Sequence, residues 1–79
     1  MTTYSALLVY PEGDTQEASG RLSINQIVDI NGSPLRPPLP TVKMIAFRVY
    51  KISKNESRGE HVTSYHLELV RREEMLEYV

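Results

Sequence analysis

The sequence predicts a mainly β fold: a small curved antiparallel sheet or partly open barrel of four to five strands, with a dominant long hairpin and a short C-terminal helix. Three observations carry this expectation. Residues 41–53 (TVKMIAFRVYKIS) and 61–71 (HVTSYHLELVR) are rich in β-branched and aromatic side chains and flank the polar segment KNESRGE. Residues 21–30 (RLSINQIVDI) alternate between apolar and polar. Asn31-Gly32 follows at once and is a strong two-residue turn signal.

Taken in order, Thr3 to Tyr10 (TYSALLVY) reads as a strand, with Ala6 to Tyr10 continuous enough to be buried on both faces. Pro11 ends it, because proline lacks the ladder donor. Glu12 to Gly20 is polar and reads as a loop. In the next strand Leu22, Ile24, Val28 and Ile30 share a face with Gln26, while Arg21, Ser23, Asn25, Ile27 and Asp29 share the other. Leu22, Gln26 and Ile30 also recur near helical spacing, but isoleucine and valine content favours the strand. Pro34, Pro37, Pro38 and Pro40 preclude a central strand or helix and predict an extended, polyproline-like crossover. Their spacing also resembles ligands of aromatic-grooved adaptor domains, although a rigid linker is the simpler reading.

The alternation of the two strands predicts the register of the hairpin. Opposing Ile45 with Leu69 sets Phe47 against Leu67, Val49 against Tyr65 and Lys51 against Thr63. Ile45, Phe47, Val49, Tyr65, Leu67 and Leu69 then form one apolar face, the expected core. A one-residue slip would exchange the faces, so burial should hold the parity; a two-residue slip would keep it. The other face carries Met44, Ala46, Arg48, Tyr50 and Ile52 against Val62, Ser64, His66, Glu68 and Val70. Its ends are apolar and its middle polar. Arg72 to Val79 suits a turn or two of helix, with Glu73 and Glu74 near its N-terminus and Met75, Leu76 and Val79 covering one barrel end.

A chain of 79 residues without cysteine reads as one domain over 1–79, with no disulfide or cysteine-ligated zinc expected. The first residues show no basic leader followed by a long apolar run, and no stretch reaches transmembrane length. A cytoplasmic location without membrane association is the expectation. The net charge of −1 conceals an asymmetry: residues 36–58 balance to +5, and the segments before and after to −3 each. This suggests a local cationic patch rather than a generally nucleic-acid-seeking chain.

The sequence points to no particular activity. The most suggestive group is Arg48, Tyr50, Ser64, His66 and Glu68, expected together on the mixed hairpin face. It could form a polar site for an anion or small ligand around Arg48, His66 and Glu68, or an ordinary cross-strand ion pair beside a surface histidine. His61 and His66 point to opposite faces of a strand, so no metal site is expected, and no cofactor either. There is no Gly-x-Ser-x-Gly elbow, no phosphate-cradling glycine loop and no cysteine nucleophile. The expectation is therefore a non-enzymatic interaction module. It would bind a protein partner through the mixed hairpin face and associate with itself, as a homodimer for example. The alternative is a small nucleic-acid-binding barrel using Arg48, Tyr50, Lys51, Lys54 and Arg58, with bases stacked on aromatics beside cations.

Overall fold

The structure, a computed structural model, describes residues 2–79. Five strands form one sheet in the order β2-β1-β5-β4-β3: β1 is Thr3–Val9, β2 Thr15–Glu17, β3 Ile27–Asp29, β4 Ala46–Ser57 and β5 Glu60–Leu69. A single helical turn, α1 (Arg72–Met75), follows. The sheet curls into a half-barrel, so the expected mainly β fold, dominant hairpin and short C-terminal helix are all present. The sheet is mixed rather than purely antiparallel, since β1 and β5 run parallel. Nothing local to either strand could signal this, because the crossover joining them is most of the chain.

The hairpin is shifted relative to the expected register. Phe47 opposes Leu69, Arg48 opposes Glu68 and Val49 opposes Leu67, a two-residue slip. A β-bulge at Tyr50 then moves the pairing by one more residue, so Lys51 meets His66 and Ile52 meets Tyr65. An extra residue on one strand resets its alternation. The parity expected from burial therefore holds only up to Val49. Beyond it, Ile52 joins the core side in place of Lys51. β4 also begins at Ala46 instead of residue 41 and runs to Ser57 through the segment expected to be the loop. The turn itself is only Arg58-Gly59, with φ of 45° and 80°, the positive pair that a two-residue hairpin turn requires.

Two apolar clusters lie on opposite faces of the sheet. On the concave face Leu8, Leu22, Val28, Val49, Tyr65 and Leu67 are buried, with Phe47 and Ile52 packed against them. Leu8 and Val28 come from strands separated by β5 and β4, so their meeting records the curl. On the convex face Ile27, Leu39, Ala46, Val70 and Met75 form the second cluster, covered by the proline-rich crossover and α1. The Leu39 amide donates to the Tyr78 carbonyl at 2.6 Å, fixing the two coverings to each other.

Four expectations about burial change. Ile45 and Leu69, assigned to the core, are each about half exposed because the slip carries them past the curled floor. β1 is buried only at Leu8. In the 21–30 segment only Ile27–Asp29 is strand, and positive φ at Asn25 breaks the alternation. Ile27 is therefore buried while Ile24 and Ile30 are exposed. In the C-terminal segment Met75 is buried and Tyr78 half-buried, whereas Leu76 and Val79 are exposed.

Two three-residue turns share one design. Tyr10 and Asp14 bracket Pro11-Glu12-Gly13, and Asp29 and Ser33 bracket Ile30-Asn31-Gly32. Each closes with a glycine amide donating to the carbonyl three residues back, and each glycine has positive φ (97° and 83°). Asn31-Gly32 is thus a turn as expected, but not the two-residue form. The first turn creates β2, a strand inside the segment expected to be loop.

Candidate functional site

The residues singled out on the mixed hairpin face separate into two groups. The Arg48 guanidinium donates from Nε and Nη2 to Glu68 Oε1, at 2.9 and 2.6 Å, and from Nη1 to Glu74 Oε2 at 2.7 Å. Cross-strand register supplies Glu68, and α1 supplies Glu74. The Tyr78 hydroxyl, Glu68 and Glu74 all hold the Arg48 proton above its already high value. The hydrogen bond from Arg48, with that from the Arg71 amide, holds Glu74 below the ordinary glutamate value. Arg48 is largely shielded, and its charge is balanced within the chain.

The second group lies further along the same face. His66 Nε2 and Ser53 Oγ share a hydrogen bond at 2.9 Å, Ser53 opposes Ser64, and the Tyr50 ring stands 6.3 Å from the imidazole. Arg48 faces Glu68 directly, not His66. Met44 and Val70, which needed covering at one end of this face, are covered by the chain itself. Ile52, expected at the other end, lies on the concave side. Among the described residues no cluster of three histidine, cysteine or carboxylate side chains stands close enough to hold a metal ion.

The cations of the nucleic-acid alternative diverge. The bulge and alternation put Lys51 and Lys54 on opposite faces, Arg58 sits in the hairpin turn, and Arg48 is ion-paired. Lys54 instead lines a concave groove of about 610 Å³ with Arg21, Tyr4 and His61. There the Tyr4 and His61 rings stack at 4.9 Å across the β1–β5 pair, and His61 Nδ1 lies 2.9 Å from Glu56 Oε1.

A different surface gathers exposed apolar side chains. At the opposite end of the half-barrel Ile30, Ile45 and Leu69, each more than half exposed, surround a groove of about 520 Å³ with Tyr10, Pro11 and Phe47. Glu12, Asp14, Thr15 and Gln16 form its rim. The rim is anchored. Gln16 Nε2 donates to the Asn31 carbonyl at 2.7 Å, bridging β2 to the β3 turn across the open seam, and the Tyr10 hydroxyl reaches Gln16 Oε1 at 3.3 Å. Phe47 packs edge-on against Tyr10 with ring centroids 5.2 Å apart. Burial, and then Asp29, raises the Tyr10 phenol above its ordinary pKa. Sequence reasoning missed this mouth. Its members are distant in the chain and read individually as core or turn residues. The faint signal lies in the two glycine turns, which supply Pro11, Glu12 and Ile30 to the groove.

Fold and surface together define a small mixed-β half-barrel with a pre-formed apolar mouth. The chain belongs to the family described as "Uncharacterised Treponema protein", whose model matches residues 2–78. No curated protein and no solved structure matches it. Among the described residues no helix is long and apolar enough to cross a membrane.

Proposed function

We propose that this chain is a non-enzymatic, cytoplasmic protein-interaction module that holds a segment of a partner protein in the mouth of the half-barrel. The observation that carries the reading is the convergence of Ile30, Ile45 and Leu69, all more than half exposed, beside Tyr10, Pro11 and Phe47. Scattered exposed aliphatics are ordinary, whereas a grouped set around a concavity with a polar rim is the form of a docking site. Glu12 and Asp14 on the rim favour a segment with an apolar anchor beside lysine or arginine. The chemistry on offer is apolar contact plus two carboxylates, which suits docking rather than bond making. This moves the interaction surface from the mixed hairpin face to the opposite side of the same hairpin. There the apolar groups stand open, whereas on the mixed face Met44 and Val70 are covered by the chain.

Selection from a random displayed-peptide library tests this reading. The parent should enrich peptides that combine an aliphatic or aromatic residue with a neighbouring basic one. Leu69→Asp should weaken the best peptide at least about tenfold, a loss of 1.4 kcal/mol. Failure to enrich any such peptide, or binding indifferent to Leu69→Asp, would overturn it.

A further inference from the structure

We propose that the outer edge of β4 pairs with the same edge of a second copy of this chain, in one antiparallel register with the twofold axis at Asn55. The inference rests on the free sheet edge and not on the mouth. Among the described residues β3 pairs with β4 only at Ala46–Arg48, and the turn before β3 engages only Val49. From Lys51 to Ser57 β4 has β5 on one side and no strand on the other.

The direction of its backbone groups follows from the turn. Ser57 and Glu60 flank a two-residue turn and so form a hydrogen-bonded pair. Such pairs alternate along an antiparallel ladder, so Asn55/Val62 and Ser53/Ser64 are of the same kind. The N–H and C=O groups of Ile52, Lys54 and Glu56 must then point away from β5, toward the side on which no strand is paired. An open row of this sort is a template for another strand.

Charge selects the partner and the register. Lysine on an edge usually prevents pairing, and a twofold at Lys54 would set that residue against itself. A twofold at Ser53 would leave Ile52 opposite Lys54. With the axis at Asn55, Lys54 meets Glu56 of the second copy and Glu56 meets Lys54 of the second copy, so the interface holds two matched charge pairs. Isologous symmetry repeats every favourable contact. Glu56 is free to take part, since it remains 73% exposed even with His61 beside it. The elongated molecule, 45 Å against 22 and 17 Å, gives the edge room beyond the folded end. The contact is a few residues of strand, below the ~1,200 Å² of standard interfaces, so the dimer is a weak one of roughly micromolar to millimolar Kd.

Sedimentation equilibrium of the full chain from about 10 µM to 1 mM spans that range of affinity. The mass should rise from 9.0 kDa toward about 18 kDa, its double. Lys54→Glu and Glu56→Lys should each stay monomeric, and the double variant K54E/E56K, with its charges exchanged, should dimerise again. Circular dichroism of each variant should match the parent, because these positions are exposed. A parent that remains at 9.0 kDa throughout, single variants that dimerise like the parent, or a folded double variant that does not recover would each overturn the proposal. Because the mouth lies at the other end of the sheet, loss of peptide binding in Leu69→Asp should leave this mass curve unchanged.

Discussion

Arg48 Nη1 donates to Glu74 Oε2 at 2.7 Å, and this bond fastens the C-terminal turn to the convex face of the sheet. Glu74 belongs to the only helical turn among the described residues, and Arg48 to the longest strand. Met75, the next residue, is then held over Ala46 and Val70 at 1% exposure. One ion pair and one apolar plug together close the second core.

Arg48→Met should therefore destabilise the protein by about 1–2 kcal/mol, since it leaves Glu68 and Glu74 facing each other without a cation. The cost is small because both glutamates retain substantial solvent contact. For a domain of this size the midpoint should fall roughly 4–8 °C for each kcal/mol, which thermal melting by circular dichroism measures.

The same pair makes stability depend on acid. Glu74 has a folded-state pKa below the ordinary 4.5, so its contribution is complete above that value and is lost as the pH falls through the folded value. Glu74→Gln removes the dependence. Parent and variant melting temperatures should differ at pH 7 and converge as the pH falls below the depressed folded-state value, where the carboxylate is protonated in both states.

The paired glycine turns separate backbone strain from packing. At Gly32 a β-carbon would collide with Leu8 Cδ1 in the core, whereas at Gly13 nothing lies within 4 Å. Both positions have positive φ. Gly13→Ala should cost about 1–2 kcal/mol from conformation alone, and Gly32→Ala about 2–5 kcal/mol once overpacking is added. Urea denaturation of the two variants should show that difference in midpoint with little change in slope.

Met75→Ala should cost about 2–4 kcal/mol by emptying a fully enclosed site. Its neighbour Leu76 is 65% exposed, and Leu76→Ala should stay within about 0.5 kcal/mol of the parent. The same denaturation series ranks the two.

Much of the fold was legible in local chemistry. β-Branched and aromatic content located both long strands, Asn31-Gly32 and Pro11 located turns, and Glu73-Glu74 located the helix. Register was not legible, because Phe47, Val49, Tyr65 and Leu67 pack about equally well with partners two residues apart. The bulge at Tyr50 was invisible for a related reason: nothing in Val49-Tyr50-Lys51 distinguishes an inserted residue from a regular alternation. From these two shifts follow the pairing of Arg48 with Glu68 rather than His66, the exchange of Lys51 for Ile52, and the exposure of Ile45 and Leu69 at the mouth.

The sequence by itself determined the β class, the long hairpin and the terminal helix, since these arise from side-chain preference and from contacts within a few residues. Only the tertiary structure decided that both faces carry a core, which strands are neighbours, and where apolar side chains remain open. Those outcomes depend on the curl that brings Leu8 to Val28 and on the parallel meeting of β1 with β5. Both are set by burial summed over the whole chain, to which no single segment carries the key.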